Sequence, residues 1–428
     1  INMTKITRFN VIAQHKLQDI IASSPKMPNS HIINRVRNLA KSFSIPKTGI
    51  PIFSPANTAH PTNIFDRNYE MHKHKGTLHN QHPVMPSKNL SVTEEVARKI
   101  FYLQNIMESI PQVMQNLGID NYHEYNNLLD LHSWAGCDAD GNINITHETM
   151  QDALKQSQDC VINFAENHIV NLINNDNREL KNIALSMQNV MQDLKSQKSS
   201  NGIIEQSHIN LAQTQLLNLI HTLDVSSNSD LKHLVFILNN IGLSGYKLDV
   251  RQSSKVIDVC ANDMANIVAK YGQDVNDDIK NYAKKNENTN QIEQPSEKVI
   301  SSLINNKNHI NTIIQHKDEL SKVSQLELNR MLLIQEHTDV FKTYQISDER
   351  NDNDVYFMRF MEKLAQISTN KETSQNTDFV MLAETEDDIK NLFENTQKII
   401  NKGLFANNRI QIFVGYSDAQ KKWGYQAS

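Results

Sequence analysis

The sequence predicts an α/β fold, predominantly helical, that is built around a β/α (TIM-like) barrel. Short runs of β-branched and aromatic residues alternate with longer stretches of helical periodicity, which favours parallel strands joined by helical crossovers. The runs are residues 50–53, 128–134, 246–250, 340–346, 379–382 and 410–414. Polar or ionisable residues follow each run closely. Functional side chains at the carboxyl ends of parallel strands are typical of a β/α barrel. We therefore expect the functional residues of this chain among the polar residues at those ends.

Composition restricts the class of protein. The chain has 428 residues, of which 39% are hydrophobic, and no apolar run approaches the roughly 20 residues of a membrane span. A net charge of −5 gives no basic face for nucleic acid or for an anionic membrane. The three cysteines are widely spaced and lack a C-x-x-C pair, which indicates reduced thiols in a cytoplasmic protein.

The helical stretches have recognisable starts and interruptions. Ser91 and Glu94 form a predicted capping box at the start of a helix that runs to about residue 114. A long helical pair is expected over 150–194, with a break at 174–177. Further helices are expected at about 208–223 and 229–241, and polar joints at 195–202, 224–230, 284–296 and 370–378. We expect one domain, with N-terminal helices over 1–48 and barrel strands with long helical insertions over 49–428.

His60 is the first candidate functional residue. It follows the first predicted strand, and Pro61 biases its backbone toward an extended conformation. The imidazole would then lie at the end of a strand, with Arg67 shortly downstream. Acid–base catalysis or contact with a phosphate is one interpretation, and a purely structural histidine is the other.

Two segments invite a metal interpretation that their details do not favour. His72, His74, His79 and His82 lie close together, but no carboxylate or cysteine joins them, so a solvated loop is preferred. The segment from Asp138 begins like an EF-hand loop. It has isoleucine at the sixth position, where that loop needs glycine, and threonine at the twelfth, where it needs glutamate. Calcium is therefore rejected as the leading ligand.

Five motif-like segments follow one another along nearly the whole chain. They are Thr58-Ala-His-Pro-Thr62, Ser133-Trp-Ala-Gly-Cys-Asp-Ala-Asp-Gly-Asn-Ile-Asn-Ile-Thr146, Leu248-Asp-Val-Arg-Gln-Ser-Ser254, Ala383-Glu-Thr-Glu-Asp-Asp-Ile389 and Gly415-Tyr-Ser-Asp-Ala-Gln-Lys421. In this order they resemble signatures of the phosphoenolpyruvate carboxylase family. The second segment is similar to the family's Asp-Arg-Asp-Gly-Asn-Pro-Asn-Val-Thr, and the third to its Leu-Asp-Ile-Arg-Gln-Glu-Ser.

The resemblance implies a barrel of the phosphoenolpyruvate carboxylase kind and a carboxy-lyase activity. The family carboxylates phosphoenolpyruvate with bicarbonate, giving oxaloacetate and phosphate with Mg²⁺ or Mn²⁺. It also implies a homo-oligomer, a tetramer in the family. The site residues implied are His60, Arg251 and Lys421 for catalysis, Arg67 and Arg251 for substrate binding, and Glu384 and Asp418 as metal ligands.

These roles have physical reasons and alternatives. Two anionic substrates need fixed cations, and the arginine fork suits phosphate. A hard dication takes carboxylate oxygens. In the alternative interpretation, Arg251 pairs with Asp249 on the same strand face, and Glu384 belongs to the acidic start of a helix.

The chain also departs from the family pattern. Asn63 stands where the family has glutamate, Ala139 where it has arginine, and Lys422 where an acidic residue usually follows. No Arg-Gly-Gly occurs, although the family has a His-Gly-Arg-Gly-Gly loop. About six of eight barrel strands are predicted here, which would leave open strand edges. We therefore expect either a fragment or a chain whose open edge is covered by something else, such as a partner protein. The leading hypothesis for the function is a divergent phosphoenolpyruvate carboxylase or its N-terminal part, and the alternative is an inactive pseudoenzyme with a binding or regulatory role.

Overall fold

The computed structural model describes residues 52–53, 91–116, 130–139, 142, 144–225, 228–287, 292–347, 352–369, 378–383 and 410–414. Helix is the prevailing structure there, as predicted. The helices are α1 (Val92–Asn116), α2 (His147–Ile173), α3 (Arg178–Ser196), α4 (Gln206–Ile220), α5 (Ser229–Asn240), α6 (Ser254–Tyr271), α7 (Asp277–Asn286), α8 (Glu297–Asn305), α9 (Lys307–Gln315), α10 (Lys322–Glu336) and α11 (Asp352–Thr369). The helices predicted over 1–48 and the histidine segment 72–82 lie outside the described residues.

The described strands are β1 (Ile52–Phe53), β2 (Asp130–Ser133), β3 (Lys247–Ser253), β4 (Phe341–Ser347), β5 (Asp378–Ala383) and β6 (Ile410–Val414). They are hydrogen-bonded in chain order. The pairs β1–β2, β2–β3, β4–β5 and β5–β6 are parallel. The six predicted strands and the parallel orientation of these four pairs are therefore confirmed, while the β/α barrel stays a prediction.

The chain packs as two compact units, formed by residues 1–136 with 151–248 and by residues 137–150 with 249–428. In the first unit, α3 packs on α4, and α5 contacts both α1 and α4. In the second unit, α6 packs against α7, α9 and α10, and α10 packs against α11. The single domain expected over 1–428 stays a prediction.

The cores of the described residues contain several sulfur-bearing side chains. Met187 and Met191 are fully buried on α3. Cys137, Cys160 and Cys260 are buried and are not joined in disulfides. Burial raises the pKa of the Cys160 thiol to about 12, so this thiol stays protonated at neutral pH. Among the described residues, no helix is both long enough and apolar enough to span a bilayer.

Helix starts follow the predicted capping residues. The Ser91 amide donates to Glu94 Oε2 over 3.0 Å, and the Glu94 amide donates to Ser91 Oγ over 3.3 Å, which confirms the capping box. Asn177 accepts hydrogen bonds from the first-turn amides of Glu179 and Leu180. This cap starts α3 directly after the break at 174–177, so the predicted pair of helices is also confirmed.

The predicted polar joint at 284–296 is shorter than expected. Helix α7 continues through Lys284 and Lys285 and ends at Asn286. Asn276 caps its amino end, and the two lysines lie in the last turn, where cations favour the negative end of the helix dipole. The first residues of this polar stretch therefore belong to a helix end, and the described remainder, residues 287 and 292–296, is non-helical as predicted.

Two glycines lie between α5 and β3 and have left-handed backbone conformations. The φ angles of Gly242 and Gly245 are 73° and 78°. Gly245 also lies against Ser157 of α2, so a β-carbon built there would approach the Ser157 carbonyl oxygen to 2.9 Å. Ser157 Oγ accepts a hydrogen bond of 2.8 Å from the Tyr246 amide. The Tyr246 amide is thus hydrogen-bonded to α2 one residue before β3 begins.

Candidate functional site

Arg251 is the predicted site residue that the structure describes, and it lies near the carboxyl end of β3. Its side chain is 18% exposed, as expected for a group at the edge of the core that a ligand could reach. The other predicted site residues lie outside the described residues, and these are His60, Arg67, Glu384, Asp418 and Lys421.

The Arg251 guanidinium forms an ion pair with Asp138, with Nη1 and Oδ2 3.7 Å apart. The backbone brings the two residues together. The Arg251 amide donates to Cys137 O over 3.1 Å, and the Ala139 amide donates to Arg251 O over 3.0 Å. From the sequence, Asp249 was the only partner suggested for Arg251, and the ion pair with Asp138 was not predicted. Asp138 follows the second predicted strand, and pairing of adjacent parallel strand ends was the signal that could have found it.

The position where the family has arginine inside its Asp-Arg-Asp-Gly-Asn signature carries no charge here. Ala139 fills it and is buried, with 6% of its surface exposed. Its methyl group adds no cation beside Arg251, and Asp138 remains 37% exposed. The ion pair between Arg251 and Asp138 is therefore formed without the second arginine that the family has at this position.

Thr149, at the position of the last ligand of an EF-hand loop, forms hydrogen bonds with the backbone of Thr146. Thr149 Oγ1 accepts a hydrogen bond of 3.0 Å from the Thr146 amide and donates one of 2.9 Å to Thr146 O. The hydroxyl that occupies the twelfth loop position thus closes the first turn at the start of α2. No group of three histidine, cysteine or acidic side chains is arranged for a metal within the described ranges.

A buried carboxylate lies behind β3, on α10. Glu327 Oε2 accepts hydrogen bonds of 2.6 Å from Gln252 Nε2 and 2.7 Å from Arg330 Nη1. Glu327 Oε1 accepts one of 2.7 Å from the hydroxyl of Tyr344 on β4. Burial and the nearby Glu327 charge raise the pKa of Tyr344 well above its usual range, so Tyr344 stays protonated and donates. Nothing in the sequence pattern singled out this cluster.

The ends of β5 and β6 lie side by side. Their parallel register pairs Ala383 with Val414, the last residue of each strand. Glu384 follows Ala383 directly in the sequence, and Asp418 comes shortly after Val414. In the sequence, each of the two predicted metal ligands thus comes shortly after one of two adjacent strands.

The comparison with protein families gives two overlapping matches to phosphoenolpyruvate carboxylase, over residues 81–219 and 178–428. Together they span most of the chain, including β2 to β6 and Arg251. No curated protein matches the sequence. The family match agrees with the ordered motifs, the predominantly helical structure and the parallel strands in chain order. The chain belongs to the phosphoenolpyruvate carboxylase family.

Proposed function

We propose that the chain catalyses the metal-dependent carboxylation of phosphoenolpyruvate by bicarbonate, which yields oxaloacetate and phosphate. The family match over 81–428 carries this proposal. Arg251 supports it, because a partly exposed arginine at the carboxyl end of a parallel strand suits an anionic substrate. Arg251, Glu384, Asp418 and Lys421 lie inside the matched region.

Arg251 would bind the phosphate of phosphoenolpyruvate. Its planar guanidinium can donate two parallel hydrogen bonds to phosphate oxygens, which fixes the orientation of the substrate as well as its position. Asp138 would hold the guanidinium from one side through the ion pair. Arg67 would supply a second cation for the same anion. Charge neutralisation by these arginines would let two negatively charged substrates approach each other.

Glu384 and Asp418 would hold the metal. The adjacent ends of β5 and β6 support this pairing, since carboxylates from neighbouring strands can share one ion. Carboxylate oxygens fit Mg²⁺ and Mn²⁺, and the bound ion would supply Lewis-acid stabilisation of the enolate. His60 would hold or move a proton in the carboxyphosphate step, and Lys421 would add a further cation. These two roles rest on the resemblance of their motifs.

A catalytically inactive family member is the second candidate. The buried Ala139 favours it, because the family's arginine is lost beside a site that must bind two anions. Asn63 removes a further ionisable group next to His60. Such a protein would keep the fold and bind a ligand or a protein partner without carrying out the carboxylation.

Oxaloacetate formation by purified residues 1–428 tests the proposal. We expect product from phosphoenolpyruvate and bicarbonate with Mg²⁺ or Mn²⁺, followed through malate dehydrogenase, and we expect a chelator to stop it. Binding of phosphoenolpyruvate without product would support the inactive family member. The absence of both binding and product would contradict the proposed substrate.

Loss of a metal-binding carboxylate should be visible without any catalysis. We expect Glu384→Ala to weaken Mn²⁺ binding by at least about tenfold, because even residues that only orient metal ligands contribute that much. Glu386→Ala is the matched control, since it removes the same charge from the same acidic run. Calorimetric titration of both variants measures the affinities. Equal losses would mean that the run acts only through its net charge and that Glu384 is not a ligand.

A further inference from the structure

The Glu327 cluster has no part in the proposed chemistry, yet it buries two charges. The side chains of Glu327 and Arg330 are each 3% exposed and form an ion pair one turn apart on α10. A buried ion pair is often no more stabilising than apolar residues of similar size. Stability alone therefore does not explain its presence directly behind the strand that carries Arg251.

The hydrogen bonds of Glu327 connect three elements of the second unit. Gln252 belongs to β3, Tyr344 to β4, and Arg330 to α10. Gln252 is the residue after Arg251, and its Oε1 also accepts a hydrogen bond of 2.8 Å from the Ser253 amide. The carboxylate thus holds the side chain and, through it, the backbone on the C-terminal side of Arg251.

Arg330 adds a direct connection to Arg251. While Nη1 pairs with Glu327, Nη2 donates to Arg251 O over 3.4 Å. The same carbonyl accepts the Ala139 amide, which is next to Asp138. The peptide that joins Arg251 to Gln252 is therefore held both by the cluster and by the segment that carries the guanidinium's ion-pair partner.

Because the peptide between Arg251 and Gln252 is fixed, the geometry of the strand also determines where the Arg251 guanidinium lies. Successive side chains of a strand point to opposite faces, so Gln252 and Arg251 project in opposite directions. Fixing Gln252 at Glu327 therefore fixes the backbone register and direction from which the Arg251 side chain leaves. A shift of about 1 Å at such a residue can cost roughly 100-fold in rate.

We propose that Glu327 is a positioning residue for Arg251, acting through Gln252, Tyr344 and Arg330 to hold the guanidinium where the phosphate of the substrate binds. The last part rests on the proposed function. The positioning itself does not, because it concerns the backbone and the ion pair of Arg251 in the free protein.

Amide hydrogen exchange tests the positioning in the full chain. Tyr344→Phe removes one hydrogen bond of Glu327 and leaves its ion pair intact, so this variant is expected to fold. We expect the Arg251 and Ala139 amides to exchange roughly fivefold faster, as loss of a single hydrogen bond allows, while the Val250 amide stays near its wild-type rate. Glu327→Gln should have a larger effect wherever it folds. Unchanged Arg251 and Ala139 amides in Tyr344→Phe, or equal acceleration of Val250, would overturn the proposal.

Ser324→Ala is the matched control on the same helix. Ser324 is fully buried, and its hydroxyl donates a hydrogen bond of 2.6 Å to Asp263 Oδ2. The substitution removes a buried hydrogen bond of the same helix without touching Glu327. We expect the exchange of the Arg251 and Ala139 amides to be unaffected. Acceleration equal to that of Tyr344→Phe would mean that any loosening of α10 is sufficient, which contradicts a specific role for Glu327.

Substrate binding then separates this inference from the proposed function. Calorimetry with phosphoenolpyruvate should give a several-fold weaker affinity for Tyr344→Phe than for wild type or Ser324→Ala. Where carboxylation is measurable, KM should rise more than kcat falls. A wild type that binds no phosphoenolpyruvate refutes the proposed function, while the exchange rates still decide whether Glu327 positions Arg251. Faster exchange with unchanged phosphoenolpyruvate affinity would overturn the link from positioning to substrate binding.

Discussion

Arg251→Ala is expected to lower kcat/KM for phosphoenolpyruvate carboxylation by roughly 100- to 1,000-fold, the usual cost of removing one preorganised group that stabilises developing charge. The structure gives two reasons for a loss at the upper end. The substitution removes the guanidinium, and it leaves the half-exposed carboxylate of Asp138 facing the position of the anionic substrate without this partner. Arg251→Lys should recover only part of the loss, because an ammonium group lacks the planar fork.

Asp138→Asn separates these two contributions. In the wild-type background it should have a smaller effect than Arg251→Ala, since the guanidinium remains and only its orientation suffers. In the Arg251→Ala background it should restore part of the lost kcat/KM, because the negative charge of Asp138 no longer repels the phosphate. The four proteins form a double-mutant cycle in which the coupling between the two residues is measured directly.

The measurement is the initial rate of oxaloacetate formation as a function of phosphoenolpyruvate concentration, with calorimetric affinities for phosphoenolpyruvate alongside. Additive losses in the cycle would mean that Asp138 and Arg251 act independently, and the ion pair would then have no role in binding. An Arg251→Ala variant with wild-type kcat/KM and affinity would remove Arg251 from the site altogether.

Local sequence signals predicted the elements of the fold well. The run at residues 410–414 matches β6 residue for residue, because β-branched and aromatic side chains bounded by polar residues specify a strand locally. The capping box at Ser91 and the start of α3 after Asn177 were likewise set by side chains within a few residues of the helix end. The joint predicted at 284–296 starts later than predicted, after Asn286, because polarity marks an exposed helix end as readily as a loop.

Residues of the site could be predicted only where a sequence motif contained them and suggested their role. Arg251 was found through its segment's resemblance to a family signature. Asp138 lies in another segment that resembles a family signature, but that resemblance did not identify it as the partner of Arg251. Glu327 is one charged residue among many on its helix, and its partners Gln252 and Tyr344 come from two different strands. Such contacts depend on which strands are neighbours in the sheet. The residue pattern within one strand or helix does not show which other elements lie next to it.

Gly245→Ala is expected to lower the free energy of unfolding by about 3 kcal/mol. A residue with a β-carbon costs roughly 1–2 kcal/mol in the left-handed conformation that Gly245 adopts, with its φ of 78°. The added methyl group would also meet the Ser157 hydroxyl and lie 2.9 Å from the Ser157 carbonyl oxygen. A backbone atom in the middle of α2 cannot move aside as a flexible side chain can, and overpacking of this kind adds about 1–3 kcal/mol.

Gly242→Ala is the control that isolates the contact with Ser157. Its φ of 73° imposes the same left-handed strain, but the nearest atom to an added β-carbon is the Gln213 side-chain oxygen at 3.2 Å. This variant should therefore lose only the conformational part, about 1–2 kcal/mol. Urea unfolding followed by circular dichroism gives both values, with unchanged slopes showing that the unfolded states are comparable. Equal losses in the two variants would mean that α2 yields to the methyl group and that the start of β3 is not held by this contact.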